Sequence, residues 1–209
     1  MAEEARPITE ALKVRATILA ALVGSMWAEE LVDTALFGGG LDRFGIHPRT
    51  LRGLFGIPLA PFLHSGFGHL LANTAPLVVL GFFIMLRRKR DLLFVTLAST
   101  LIGGIGVWLF GGTNTVHLGA STVVFGYLGF LLSRGIFERR FWSILGSLVV
   151  FFLYGGALFG VLPGRAGISW EGHLFGLIGG VLAAWKMAER PKTESQKTES
   201  PKTERSRVT

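Results

Sequence analysis

The chain has 209 residues, half of them hydrophobic, with no cysteine, a net charge of +7 and only 17% of residues charged. A soluble domain of this size carries about a quarter charged residues, and the missing cysteines exclude disulfides, thiolate catalysis and cysteine-ligated zinc. The basic excess sits at the ends of apolar runs and in the tail, with no basic face interleaved with aromatics, so nucleic acid is not an expected partner.

In chain order, six segments approach the roughly 20 apolar residues that a helix needs to cross a bilayer. They cover residues 14–37, 64–86, 92–112, 119–133, 141–161 and 172–187. The first contains Glu29, Glu30 and Asp33 and follows an acidic Met1-Ala2-Glu3-Glu4 start, so it reads as a retained helix and not as a cleavable leader. The fourth and sixth are short, which suits helices that begin below the membrane surface. The loop between the first two spans, residues 38–63, holds Pro48, Pro58 and Pro61 and is not expected to form one regular helix. The residues after Arg190 repeat a Lys-Thr-Glu unit and are expected to be disordered. The expected organisation is therefore a short cytoplasmic segment 1–13, a six-helix membrane domain 14–187 and a polar tail 188–209.

Loop charges set the orientation. Arg87-Arg88-Lys89-Arg90 follows the second span, Arg134, Arg139 and Arg140 follow the fourth, and the tail is rich in Lys. The alternate loops are poor in both Lys and Arg, which places both termini in the cytoplasm. The first loop, with Arg43, Arg49 and Arg52, is the imperfect case. Membrane lipid is thus an expected partner, and a bacterial cytoplasmic membrane the expected location.

The second, fourth and sixth spans each open on the outer side with an unusual polar group. These are His64-Ser65-Gly66-Phe67-Gly68-His69 followed by Asn73, His117-Leu118-Gly119-Ala120-Ser121-Thr122, and Glu171-Gly172-His173. Such groups at membrane depth face a bundle interior or a water-filled cavity. His69 and Asn73 are four apart and share a helix face, whereas His64 is expected to point elsewhere. Ser121 follows Gly119-Ala120 at a helix start, where free N–H groups receive an oxyanion. His173 heads a Gly172/Gly176/Gly180 ladder, the spacing that lets two helices approach closely. The chemistry this suggests is a dyad. His173 takes the proton of Ser121, Ser121 attacks a carbonyl, and the Ser121 N–H with His69 and Asn73 stabilises the oxyanion.

Three motifs in one order, His64-x4-His69-x3-Asn73, Gly119-Ala120-Ser121 and His173-x2-Gly176, make the chain resemble the rhomboid intramembrane serine proteases over residues 14–187. The resemblance implies an all-α six-transmembrane-helix bundle with Ser121 as nucleophile and His173 as general base. It also implies His69 and Asn73 as oxyanion donors, hydrolysis of peptide bonds in or near transmembrane segments of membrane-protein substrates, and no cofactor. Thr122 stands where the family carries glycine after the serine, and its β-branch is expected to press on the oxyanion hole or narrow the subsite. Phe125 replaces a tyrosine that packs on the histidine in some members, and their Trp-Arg pair in the first loop is absent. Two other readings stay open: an inactive relative that binds membrane-protein clients, and a metal site on His64, His69 and His173. The second lacks a His-Glu-x-x-His motif, so no metal is expected.

Overall fold

A computed structural model describes residues 8–164 and 167–188; the expected disordered tail and the first seven residues lie outside these. Among the described residues the chain forms seven α-helices and no sheet. They are α1 (Ile8–Val32), α2 (Leu51–Leu59), α3 (Phe67–Met85), α4 (Lys89–Phe110), α5 (Ser121–Glu138), α6 (Phe141–Tyr154) and α7 (Trp170–Met187). Short π- and 3-10 turns extend α1 to Phe37 and α6 to Val161. Four stretches are long and apolar enough to span a membrane: Ile8–Phe37, Phe67–Met85, Lys89–Phe110 and Phe141–Val161. α5 and α7 have 18 residues each, about 27 Å of helix.

α5 is the central helix. Every residue from Val123 to Leu131 is buried, as expected of a helix that is apolar on all sides and surrounded by others. α3, α4, α6 and α7 all pack on it, and α1 packs on α3. The contact between α5 and α7 is the most intimate, because glycines let the backbones meet. A Cβ on Gly176 would collide with the Thr122 carbonyl oxygen, and one on Gly180 with the Gly126 carbonyl oxygen. α4 joins them, since a Cβ on Gly103 would strike the Thr122 side chain. The outer faces are apolar and exposed, with Leu93, Leu97, Leu101 and Ile105 along α4 and Phe141, Trp142 and Phe152 on α6, as lipid-facing surfaces are.

Two helix boundaries differ from the sequence reading because turns that carry charged pairs stay helical. α1 begins at Ile8, before the expected residue 14, its first turns carrying the exposed Glu10–Lys13 pair at 3.0 Å. α5 continues past Ser133 to Glu138. There buried Glu138 pairs with Arg134 at 3.0 Å and with Arg87, which keeps the charged last turn helical. Arg139 then stops the helix with a left-handed φ of 52°.

The long first loop contains a 3-10 turn, Gly40–Phe44, and one short α-helix, α2, capped by the Thr50 hydroxyl, which accepts the Gly53 N–H at 3.0 Å. Its arginines are engaged by the protein itself. Arg49 donates to the carbonyls of Leu109 at 3.1 Å and Gly111 at 2.8 Å, closing the end of α4, and Arg43 and Arg52 both lie over the Phe44 ring. These uses give a physical reason for three arginines in a loop that the charge pattern left anomalous.

Candidate active site

His173 lies in the first turn of α7 and is 9% exposed. Its Nδ1 is 3.0 Å from the Gly160 carbonyl oxygen. A carbonyl only accepts, so Nδ1 carries the proton and Nε2 keeps the lone pair that a general base needs. The ring is held flat against Phe125, with centroids 3.9 Å apart and planes 8° from parallel. Phe125 is one turn beyond Ser121 on α5, so the helix that carries the serine also fixes the orientation of the imidazole.

Ser121 is the first residue of α5, where backbone N–H groups have no carbonyl one turn back. Two amides before it are already used. The Gly119 N–H donates to the Ala60 carbonyl at 2.8 Å and the Ala120 N–H to His64 Nε2 at 3.2 Å. The Ser121 N–H makes no hydrogen bond among the described residues and sits at the positive end of the helix. Ser121, His173, His69 and Asn73 line one cavity of about 710 Å³, whose other end is apolar, with Pro76, Leu80 and Leu128. No hydrogen bond joins the Ser121 hydroxyl to His173 among the described residues; the cavity brings them onto one wall.

His69 and Asn73 occupy successive turns of α3, as their spacing requires. The Asn73 amide donates to the His69 carbonyl at 3.0 Å, and the His69 Nδ1 is 3.3 Å from the Ser65 hydroxyl. The His69 ring rests on Gly119, whose φ of +110° and missing side chain both matter. A Cβ there would lie 2.5 Å from His69 Cε1 and 2.8 Å from Nε2. The glycine two residues before the serine thus makes room for a histidine on another helix.

His64 does not line the cavity with His69 and Asn73, as expected, but the reason is not its position on a shared helix. Because α3 starts only at Phe67, helical spacing does not govern it, and its ring stands edge-on to His69 at 5.2 Å. It is 1% exposed, with Nδ1 against the Phe62 carbonyl at 3.1 Å and Nε2 receiving the Ala120 N–H. Both nitrogens are occupied in holding the turn before Ser121, which leaves none for a metal ion. Burial and the neighbouring His69 push its pKa down to about 4, consistent with the neutral ring that this pair of bonds demands.

Thr122 and Gly176 do not reach the cavity. The Thr122 side chain points into the seam of α4 and α7, where Gly103 and Gly172 leave space for its methyl and hydroxyl. The expected narrowing of the subsite therefore does not occur: the β-branch fills a slot made by glycines of two other helices. Gly160 and Ser65 escaped the sequence reading. Gly160 acts through a backbone carbonyl, which no side-chain pattern reveals, and Ser65 lies in the turn before α3, outside the helical spacing that relates His69 to Asn73. His117 also joins the site, its Nδ1 2.6 Å from the hydroxyl of Ser169, which in turn caps α7 by accepting the Gly172 N–H at 3.2 Å.

Comparison with known proteins identifies the family. The family model of the Rhomboid domain matches residues 52–190, which include every residue named around the cavity. An uncharacterized protein of Mycobacterium tuberculosis is 42% identical over 183 residues, 84% of this chain and 76% of its own length. One of Mycobacterium leprae is 44% identical over 171 residues, 78% of this chain and 67% of its own. The rhomboid protease GluP of Bacillus subtilis is 32% identical over 124 residues, 58% of this chain and 24% of the longer GluP. With its helical bundle, its apolar spans and a match over most of its length, the chain belongs to the rhomboid family.

Proposed function

We propose that this protein is a six-span intramembrane serine endopeptidase of a bacterial cytoplasmic membrane, with both termini cytoplasmic and no cofactor. The observation that carries the reading is the clamp on His173: Gly160 fixes its tautomer, Phe125 fixes its plane, and its cavity is shared with a serine at a helix N-terminus. In this reading His173 Nε2 removes the Ser121 hydroxyl proton as Oγ attacks a peptide carbonyl. The developing oxyanion is received by the Ser121 N–H, by His69 Nε2–H and by the second amide hydrogen of Asn73. His69 donates from Nε2 when the Ser65 hydroxyl donates to its Nδ1, so Ser65 selects the tautomer. Collapse of the tetrahedral adduct expels the amine, which takes the proton from His173, and water repeats the sequence to free Ser121. The Ser121–His173 hydrogen bond forms when substrate closes the site, as catalytic contacts in empty sites commonly do.

The substrate is a transmembrane segment of another membrane protein. α3 and α6 flank the cavity and both pack on α5 but make little contact with each other, which gives an extended chain a sideways route from lipid to Ser121. The test is cleavage of a reconstituted transmembrane substrate by wild type and Ser121→Ala, with fluorophosphonate labelling of both. Wild type alone is expected to cleave and to label, and equal cleavage by the two removes Ser121 from the mechanism. A second reading, a rhomboid that holds clients without cutting them, draws on the unformed Ser121–His173 bond. Folded wild-type protein that resists the label decides for it. Chelators are expected to leave cleavage unchanged, and its loss on chelation reopens the metal reading.

A further inference from the structure

A second cavity, of about 320 Å³, lies at the opposite end of the bundle, where α3 ends, α5 ends and α6 begins. Arg134, on its wall, is 13 residues along α5 from Ser121, about 20 Å away. Its deep wall is apolar, with Phe83, Leu131 and Val150, and Arg87, Arg134 and Trp142 also line it. The arginine side chains are 16% exposed. Arg134 uses Nε on Glu138, and its two terminal nitrogens make no hydrogen bond among the described residues. The adjoining segments 87–91 and 134–140 are rich in basic residues: they carry Arg87, Arg88, Lys89, Arg90, Arg134, Arg139 and Arg140 beside Asp91 and Glu138. Below the cavity the lipid-facing side of α6 continues as an exposed apolar stripe through Leu145, Val149 and Phe152.

We propose that this cavity binds the phosphate group of an anionic phospholipid from the leaflet at the basic end of the bundle. A guanidinium with free planar donors recognises phosphate oxygens in paired hydrogen bonds, in partly desolvated surroundings where such bonds are strong. The positive charge supplies the preference for anionic over zwitterionic lipid, the indole of Trp142 marks the headgroup level, and the α6 stripe carries the acyl chains. Gly146 opens the cavity on the α6 side, and a Cβ built there meets no atom within 4 Å. The site does not involve Ser121 or His173 and stands whether or not the protein is a protease.

Native mass spectrometry of the full chain in detergent, titrated with phosphatidylglycerol or phosphatidylcholine of matched acyl chains, tests this. Wild type is expected to retain one phosphatidylglycerol roughly tenfold more tightly than phosphatidylcholine. Arg134→Gln should lose most of that preference. Because Arg134 also pairs with Glu138, the decisive variant is Gly146→Phe, which fills the cavity while keeping every charge. It is expected to keep the wild-type melting temperature in detergent and lose the tight phosphatidylglycerol. Equal retention of both lipids by wild type, or wild-type retention by folded Gly146→Phe, overturns the proposal. So does full competition by inorganic phosphate, which would mark a plain anion site.

Discussion

Thr122 looks disruptive in sequence, yet its side chain lies away from the cavity. Its β-branch occupies the space left by Gly103 and Gly172, and its backbone is already helical, where a threonine pays little. Thr122→Gly is therefore expected to leave cleavage near wild type while lowering stability by roughly 1–2 kcal/mol, from the void and the lost helix propensity. Thermal melts beside a cleavage assay check both halves, and a marked gain in activity would show that the threonine does obstruct the site. Gly160→Ala should behave oppositely. Its Cβ would lie 2.8 Å from Phe125 Cζ and 3.1 Å from His173 Nδ1, so the imidazole must move while the fold has no reason to fail. A fall in kcat with an unchanged melting temperature is expected. In the proposed mechanism His69→Ala removes one oxyanion donor, for which a loss of about 10²–10³ in kcat is the usual scale. Unaltered kcat in that variant would assign His69 to packing against Gly119 alone.

At the scale of helices, the packing of α5 on α7 decides whether Ser121 and His173, the proposed nucleophile and base, share one cavity. Gly172, Gly176 and Gly180 were readable as a small-residue ladder, but the partner surface was not. The ladder meets carbonyl oxygens of Thr122 and Gly126, and backbone cannot swing aside as a side chain can. Gly180→Val is accordingly expected to cost more than the roughly 1–3 kcal/mol of ordinary overpacking and to abolish cleavage although it lies two turns from His173. Reduced recovery of monodisperse protein, with a lowered melting temperature for whatever folds, is the measurable result. Helix ends were less legible than helix existence. The α5 end depends on Arg87 reaching Glu138 from another loop, and the α3 start on Gly66, whose φ of 104° breaks the run that His64 seemed to open.

For the whole molecule, two groups outside the membrane helices give stability opposing pH dependences. Burial, aided by His69, pushes His64 down to about 4 from 6.5. The folded chain then binds fewer protons than the unfolded one, so this stability is present above about pH 6.5 and is lost as pH falls toward 4. Asp42 is pushed up to about 6 from 3.8, first by burial and then by Asp33 and Glu30. It binds a proton more readily in the folded chain, so stability falls as pH rises from about 4 to 6. Asp42→Asn removes the second slope and should make the rise in melting temperature between pH 4 and 6.5 steeper than in wild type; parallel profiles would exclude Asp42 from the balance. The sequence by itself determined a membrane-embedded helical chain and the residues around its cavity, because hydropathy and helical spacing are local properties. Four carbonyls and slots were decided only by tertiary structure: Gly160 on His173, Ala60 on Gly119, and the glycine pockets for Thr122 and for the His69 ring. Each depends on backbone atoms distant in the chain, which carry no residue identity until the fold brings them to the site.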